Sequence, residues 1–217
     1  MKKILREFLI KVALFDFYLN LKSELKCFIS LRKWAALIKR NSIFLELGSG
    51  PKKGSNDWVT VDFSGADISY DLRKGIPLPA NSVDRIYSSH MFEHMPYKEL
   101  IIFINDCYRV LKDNGELSVC VPDASHYIRS YIDGVDFLPK DMLYVPAAVN
   151  TGSLIDQINY IAYMDGQHKY MFDSQNLINT LRKAPFSTVN IRCFDEVLDL
   201  KDRDHESIYA IAIKKIS

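Results

Sequence analysis

The residues best suited to chemistry begin with one run. Ile43-Phe44-Leu45-Glu46-Leu47-Gly48-Ser49-Gly50-Pro51 is a buried-looking strand that ends in an acid and then turns on two glycines. Glycines in such a turn let a ligand approach the backbone closely. A nicotinamide dinucleotide would ask for GxGxxG, but Lys53 stands where the third glycine should fall and Gly54 comes one place late. The next strand ends at Val61-Asp62. A carboxylate there sits at the carboxyl edge of the sheet, where open α/β folds bind ligands, and it can accept two hydrogen bonds from the vicinal hydroxyls of a ribose.

Further along, His90-x-x-Glu93-His94 spells HxxEH, the inverted zinc-protease motif. That chemistry needs both histidines on one helical face with the glutamate as base. His90 ends a strand pattern and Pro96 follows His94 by two residues, so no stable helix through 90–94 is expected and no metal is assigned. His126 and His205 read as surface or turn residues. The four cysteines (Cys27, Cys107, Cys120, Cys193) form no CxxC pair, which argues against a disulfide framework or a thiolate zinc site and for a reduced, cytoplasmic protein.

The elements that must position these residues follow from periodicity. Ile43–Leu47, Trp58–Phe63, Val83–Ser88 and Glu116–Val121 read as strands, alternating with helices in the manner of an α/β fold with a largely parallel sheet. A helix is expected from about Tyr97 to Leu111, stopped by Lys112-Asp113-Asn114-Gly115, where Asn or Gly would supply a left-handed C-terminal turn. Residues 123–165 mix helical patches with Pro139, Pro146 and Gly152. A helix resumes near Ser174 with Asp173 or Ser174 as N-cap, and Thr188–Phe194 and Ser207–Lys214 pair antiparallel across an Asp-rich connection.

Of 217 residues, 48% are apolar, 25% charged and only 17 are Gly or Pro, which excludes disordered and collagen-like classes and leaves one domain with a short appendage. The net charge of +1 conceals an asymmetry. Residues 1–40 hold ten Lys/Arg and three Asp/Glu, a balance of +7, whereas the other 177 residues hold 18 Lys/Arg and 24 Asp/Glu, or −6. Two helical patterns lie in this basic arm, over residues 3–19 and Leu25–Ile38. They either cap the sheet of the domain or rest on an anionic membrane surface or a partner. Arg6, Glu7, Lys11 and Asp16 interrupt any signal-peptide core or membrane span.

A strand with Glu two residues before GxG resembles the first motif of class I S-adenosylmethionine-dependent methyltransferases. Four more segments are similar to that family in the same order. They are Val61-Asp62; Asp71-Leu72 with the proline-rich loop after it; Asn81-Ser82-Val83-Asp84 running into Ser88-Ser89-His90 and Glu93-His94; and Arg109-Val110-Leu111-Lys112-Asp113-Asn114-Gly115, with Asp-Asn replacing Pro-Gly. Gly166-Gln167-His168-Lys169-Tyr170-Met171-Phe172-Asp173 resembles a segment of methyltransferase-like proteins of the surface-polysaccharide type.

The resemblance covers about residues 42–215. It implies a Rossmann-like class I methyltransferase fold over residues 41–217, mostly parallel with an antiparallel C-terminal strand, behind a helical extension at 1–40. It also implies S-adenosylmethionine as cofactor, held by Glu46, Gly48, Ser49, Gly50, Asp62, Asp71, Leu72, Ser88, Ser89 and His90. The implied acceptor is a small molecule or a glycan precursor taking the methyl on oxygen, with no nucleic-acid partner and peripheral membrane contact through residues 1–40. An oxygen acceptor needs a base, which makes His168 and His94 the leading catalytic candidates, with Asp123 behind them. The alternative is a non-catalytic methyltransferase-like subunit of a larger assembly. One departure stands out: the seven residues between Gly50 and Trp58 are too few for a crossover helix, so an extended loop or single turn is expected there. Lys52 and Lys53 in that loop either face the cofactor carboxylate or stand as solvated lysines.

Overall fold

Leu45 and Leu47 are fully buried on strand β1 (Phe44–Leu47), an interior strand of the sheet. In this computed structural model, which describes residues 28–137 and 150–215, the sheet has seven strands in the order β3-β2-β1-β4-β5-β7-β6. The others are β2 (Trp58–Asp62), β3 (Ile68–Ser69), β4 (Val83–Ser89), β5 (Leu111–Pro122), β6 (Thr188–Ile191) and β7 (Ser207–Ile213). β1 pairs parallel with β2 and with β4, β2 with β3, and β4 with β5. β7 enters antiparallel between β5 and β6. This is the Rossmann-like class I arrangement the sequence implies.

Residues 48–57 join β1 to β2 without a helix, as the short spacing predicts. The longer crossover from β4 to β5 is made by helix α2 (Tyr97–Val110), which buries Leu100, Phe103, Ile104, Cys107 and Val110. Their spacing of three and four puts them on one stripe, so a single helical face closes over the sheet. Helices α3 (Ala124–Ile132), α4 (Ile155–Tyr163) and α5 (Ser174–Leu181) lie between β5 and β6. Asp173 caps α5, its side chain accepting from the Asn176 amide.

Three expectations are corrected. Helix α2 stops at Val110 because Leu111 adopts extended backbone and already pairs with Val83. The left-handed Asn114 (φ 59°) therefore turns an irregularity within β5, where the register steps from Leu111 to Glu116, and does not cap the helix. β3 has two residues, too few for periodicity to register, and β6 ends at Ile191, short of Phe194. Helix α1, described over residues 28–37, buries Ser30, Trp34 and Leu37, and the last two join the same core as β1 and β4. Trp34 meets Tyr70 edge-on at 5.7 Å. Trp34 and Leu37 pack this helix on the sheet core, and Ser30 donates to the Ser69 carbonyl beside them. The expected helix over 3–19, Cys27 and the prolines at 139 and 146 lie outside the described residues.

Cys107 and Cys120 are buried and Cys193 is exposed, all three as free thiols. Among the described residues no helix is long and apolar enough to cross a membrane.

Candidate active site

The carboxyl ends of β1, β2 and β4 open into a cleft of about 640 Å³, adjoined by a narrower lobe of about 240 Å³. Gly48, Asp62, Phe63, Met91, His94 and Lys169 line both. Gly48 begins the turn out of β1 at φ +74°, and a Cβ there would fall 2.3 Å from the Met91 Cγ. Only glycine fits this position, on both conformational and steric grounds.

Asp62 ends β2 opposite that turn. Its Oδ2 accepts from the Gly50 amide at 2.9 Å and its Oδ1 from its neighbour Phe63 at 2.6 Å. The carboxylate is thereby fixed while keeping lone pairs for hydroxyl groups. Glu46 faces the cleft with Lys52, whose Nζ lies 2.6 Å from Glu46 Oε1. Lys53 instead donates to the Ala66 carbonyl at 2.6 Å. Of the two loop lysines, then, one serves the cleft wall and one ties down its own loop. Ser49 lines the cleft with its hydroxyl turned to the Gly50 carbonyl at 3.0 Å.

The smaller lobe is walled by Phe63, Tyr70, Leu72, Met91 and Met95, an apolar slot of the kind that takes a flat ring. Asp71 stands at its rim in a bidentate pair with Arg73, at 2.9 and 3.0 Å. The Arg73 hydrogen bond and charge hold the Asp71 carboxyl below its ordinary range.

At the end of β4, Ser89 and His90 line the larger cleft. His90 turns the chain at φ +50° and packs its imidazole inward, with Nε2 2.9 Å from Ser207 Oγ. Burial holds its pKa well below the usual histidine value. Ser88 does not reach the cleft. It is fully buried and donates to the Leu47 carbonyl of β1 at 2.9 Å, because alternation along a strand sends it to the opposite side from its neighbours. Asp123 is likewise placed elsewhere: its Oδ1 caps α3 by accepting from the Ser125 amide at 2.9 Å, and it does not line the cleft.

His94 and His168 meet. Their ring centroids are 5.0 Å apart at an interplanar angle of 72°, although 74 positions separate them in sequence. His94 sits in the single helical turn Phe92–His94, too short to make the long helical face that HxxEH would require. Its Nδ1 lies 3.2 Å from the Gln167 carbonyl, and the Nδ1 of His168 lies 2.8 Å from the Ile161 carbonyl. A carbonyl only accepts, so each Nδ1 carries the proton and each Nε2 keeps its lone pair. Burial lowers both pKa values, so both rings are neutral at neutral pH.

Between the two rings and His90 lies Glu93, whose side chain is 3% exposed. Neither carboxyl oxygen has a hydrogen-bond partner, and burial pushes its pKa up to about 8. The sequence offered Glu93 as the glutamate of the HxxEH spelling, to which no metal was assigned, and as half of the Glu93-His94 pair. Lys169 lines the cleft from the 166–173 segment, and Tyr160, Arg203 and Glu206 from chain segments that no local motif marks.

Residues 45–119 match the model of a family described as a methyltransferase domain. No curated protein matches the chain. Among solved structures, a SAM-dependent methyltransferase from Archaeoglobus fulgidus aligns at 15% identity over 87% of this chain and 94% of its own, with a TM-score of 0.51. A SAM-dependent methyltransferase of Thermotoga maritima, a possible histamine N-methyltransferase, aligns at 15% over 90% and 96% with a TM-score of 0.47. Phosphoethanolamine N-methyltransferase 2 of Haemonchus contortus, solved with S-adenosyl-L-methionine, aligns at 12% over 85% of this chain and 53% of its own, with a TM-score of 0.49. The strand order is that of the Rossmann-like class I fold, and the segment matched by the methyltransferase-domain model spans its first five strands. The glycine turn, the Asp62 carboxylate and the apolar slot are suitably shaped for S-adenosylmethionine, the cofactor that the sequence resemblance implies.

Proposed function

We propose that the protein transfers the methyl group of S-adenosylmethionine to an oxygen of a hydroxylated small molecule or glycan precursor. The observation that carries this reading is the convergence of His94 and His168, both neutral, at the edge of a cleft whose other wall is Gly48 and Asp62. The cofactor supplies a methyl already activated by the sulfonium, so the chain has mainly to bind, orient and remove a proton. Asp62 takes the ribose hydroxyls, the slot around Leu72 and Met95 takes the adenine, and the pair of imidazoles activates the acceptor hydroxyl. The resemblance of residues 166–173 to surface-polysaccharide methyltransferase-like proteins favours a sugar.

Asp62→Ala should weaken binding of S-adenosylhomocysteine by about 1–3 kcal/mol, because two ribose hydroxyls lose their acceptor. Calorimetry on wild type and variant checks this, and equal affinities would remove Asp62 from the site. The function itself is tested by following S-adenosylhomocysteine formation over a panel of sugar nucleotides, free sugars and small phenols. Cofactor binding without turnover on any of them would favour a non-catalytic subunit.

The basic arm adds a second, separable role at a membrane surface. Helix α1 turns Trp34 and Leu37 inward but leaves Phe28, Ile29, Leu31 and Ile38 exposed beside Arg32, Lys33 and Lys39. Removing residues 1–20 should reduce sedimentation with anionic liposomes, and added salt should do the same to the full chain. Cofactor affinity should stay unchanged. Loss of solubility or of cofactor binding in the truncated protein would instead make those residues part of the core.

A further inference from the structure

We propose that Glu93, His94 and His168 form a binding site for one divalent transition-metal ion, placed to hold the acceptor hydroxyl at the cofactor cleft. One ligand atom from each residue lies within 4.8 Å of the others, and Glu93 Oε1 is 3.9 Å from His94 Nε2. Atoms bound to one ion at about 2.0–2.1 Å stand roughly 3.3 Å apart in a tetrahedron. Small side-chain rotations close that difference.

Two observations independent of proximity point to a cation. The first is the outer support of the imidazoles. Each donates Nδ1–H to a backbone carbonyl, Gln167 for one and Ile161 for the other, which fixes the ring and leaves Nε2 as the free donor of electrons. Metal-ligating histidines are held in the same way. The second is Glu93 itself. A carboxyl group 3% exposed with neither oxygen hydrogen-bonded carries a desolvation cost that the charge of Arg203 offsets only in part. The imidazole nitrogens beside it, His90 Nδ1 at 3.6 Å and His94 Nε2 at 3.9 Å, are too far for a hydrogen bond. An ion bound by Glu93 would satisfy it directly.

Two imidazoles and one carboxylate suit a borderline ion of the zinc type over calcium or magnesium. Three protein ligands leave coordination positions open, the mark of a catalytic site, and the open side faces the cleft shared with Gly48 and Asp62. The motif HxxEH names the wrong partner: His90 turns its Nε2 to Ser207, and His168 completes the set from a distant loop.

What the ion does rests on the methyltransferase reading; that it binds does not. Coordination lowers the pKa of the acceptor hydroxyl, whose proton leaves to solvent. The oxygen then bonds to the methyl carbon. The C–S bond breaks, and its electron pair stays on sulfur, converting the sulfonium to a neutral thioether.

The test uses the full chain, freed of metal with a chelator and titrated with Co²⁺, then with Zn²⁺ in competition. One equivalent of Co²⁺ should bind with visible d–d absorption and without a thiolate charge-transfer band, and Zn²⁺ should displace it. Glu93→Gln and His168→Ala should each weaken Co²⁺ binding by more than about 100-fold, exceeding the loss typical of outer-shell changes. His126→Ala, which removes a histidine outside the cleft, should leave binding unchanged, and S-adenosylhomocysteine affinity reports that each variant is folded. Wild-type Co²⁺ binding no tighter than that of the His94→Ala/His168→Ala double variant would overturn the site. Absence of binding together with lost turnover in the histidine variants would overturn it too, leaving the imidazoles as a simple base pair. A one-equivalent site that depends on Glu93, in a protein that methylates none of the panel, would uphold the metal and sink the O-methylation reading instead.

Discussion

His168→Ala and His94→Ala should each lower methyl transfer by about 10²–10⁴, with cofactor affinity near that of the wild type. The expected size follows from what each imidazole contributes. Both Nδ1 protons are committed to carbonyls, so each Nε2 keeps its lone pair in a ring that lines the cleft beside Glu93. An alanine at 168 also leaves the Ile161 carbonyl unpaired in a buried position, which costs stability as well as rate. For that reason S-adenosylhomocysteine binding should be measured beside turnover on whichever acceptor the wild type uses. A variant that binds the cofactor normally and has lost turnover identifies the imidazole as part of the chemistry. Near-normal turnover in both variants would reduce acceptor activation to positioning alone.

The second large effect is on stability. Asp199→Ala should destabilise the fold by about 3–5 kcal/mol, the cost of stranding a buried partner. The Asp199 side chain is fully buried and accepts from both terminal nitrogens of Arg192, at 2.5 and 2.8 Å, from the Tyr87 hydroxyl at 3.0 Å and from the Asp195 amide at 2.8 Å. Arg192, 14% exposed, also donates to Ser118 Oγ at 2.8 Å and lies over the Tyr209 ring. Removing the carboxylate leaves a guanidinium and a phenol without their shared acceptor. Because the pair is shielded from solvent, added salt should not mask the loss. Denaturant titration checks it, and a loss below about 1 kcal/mol would mean that water reaches Arg192 once Asp199 is gone. The same segment carries Leu198 and Leu200 to the cleft wall, so cofactor affinity should fall alongside stability.

Much of this was legible because it is local. The acid and glycines at 46–50, the carboxylate at 62 and the Asp71-Leu72 pair each belong to one strand end, where alternation and turn chemistry are written in a few adjacent residues. All of them reach the cleft or its adjoining lobe. Ser88 shows the limit of that logic: it sits among residues that do line the cleft, yet a period of two turns it toward Leu47. Asp123 carries a signal that a different weighing would have used, since an aspartate just ahead of a helical pattern is first an N-cap candidate. The Glu93–His94–His168 cluster was illegible for another reason. Its members lie on opposite sides of a stretch that no periodicity resolves, and only the path of residues 164–172 back to the sheet brings the two histidines together.

The sheet has two open borders, and both are short. β3 has two residues and β6 has four, so neither presents a long row of unpaired amides and carbonyls to another chain. On the β3 side the border is further occupied from α1 and from the β1–β2 loop. Ser30 Oγ donates to the Ser69 carbonyl, Lys33 Nζ to Asp67 and Lys53 Nζ to Ala66. Exposed strand borders are templates for strand addition and aggregation, and lysines or a covering helix are among the means by which proteins block them. Helix α1 thus has a protective duty beyond its share of the core: it keeps a largely parallel sheet from growing by intermolecular strand addition.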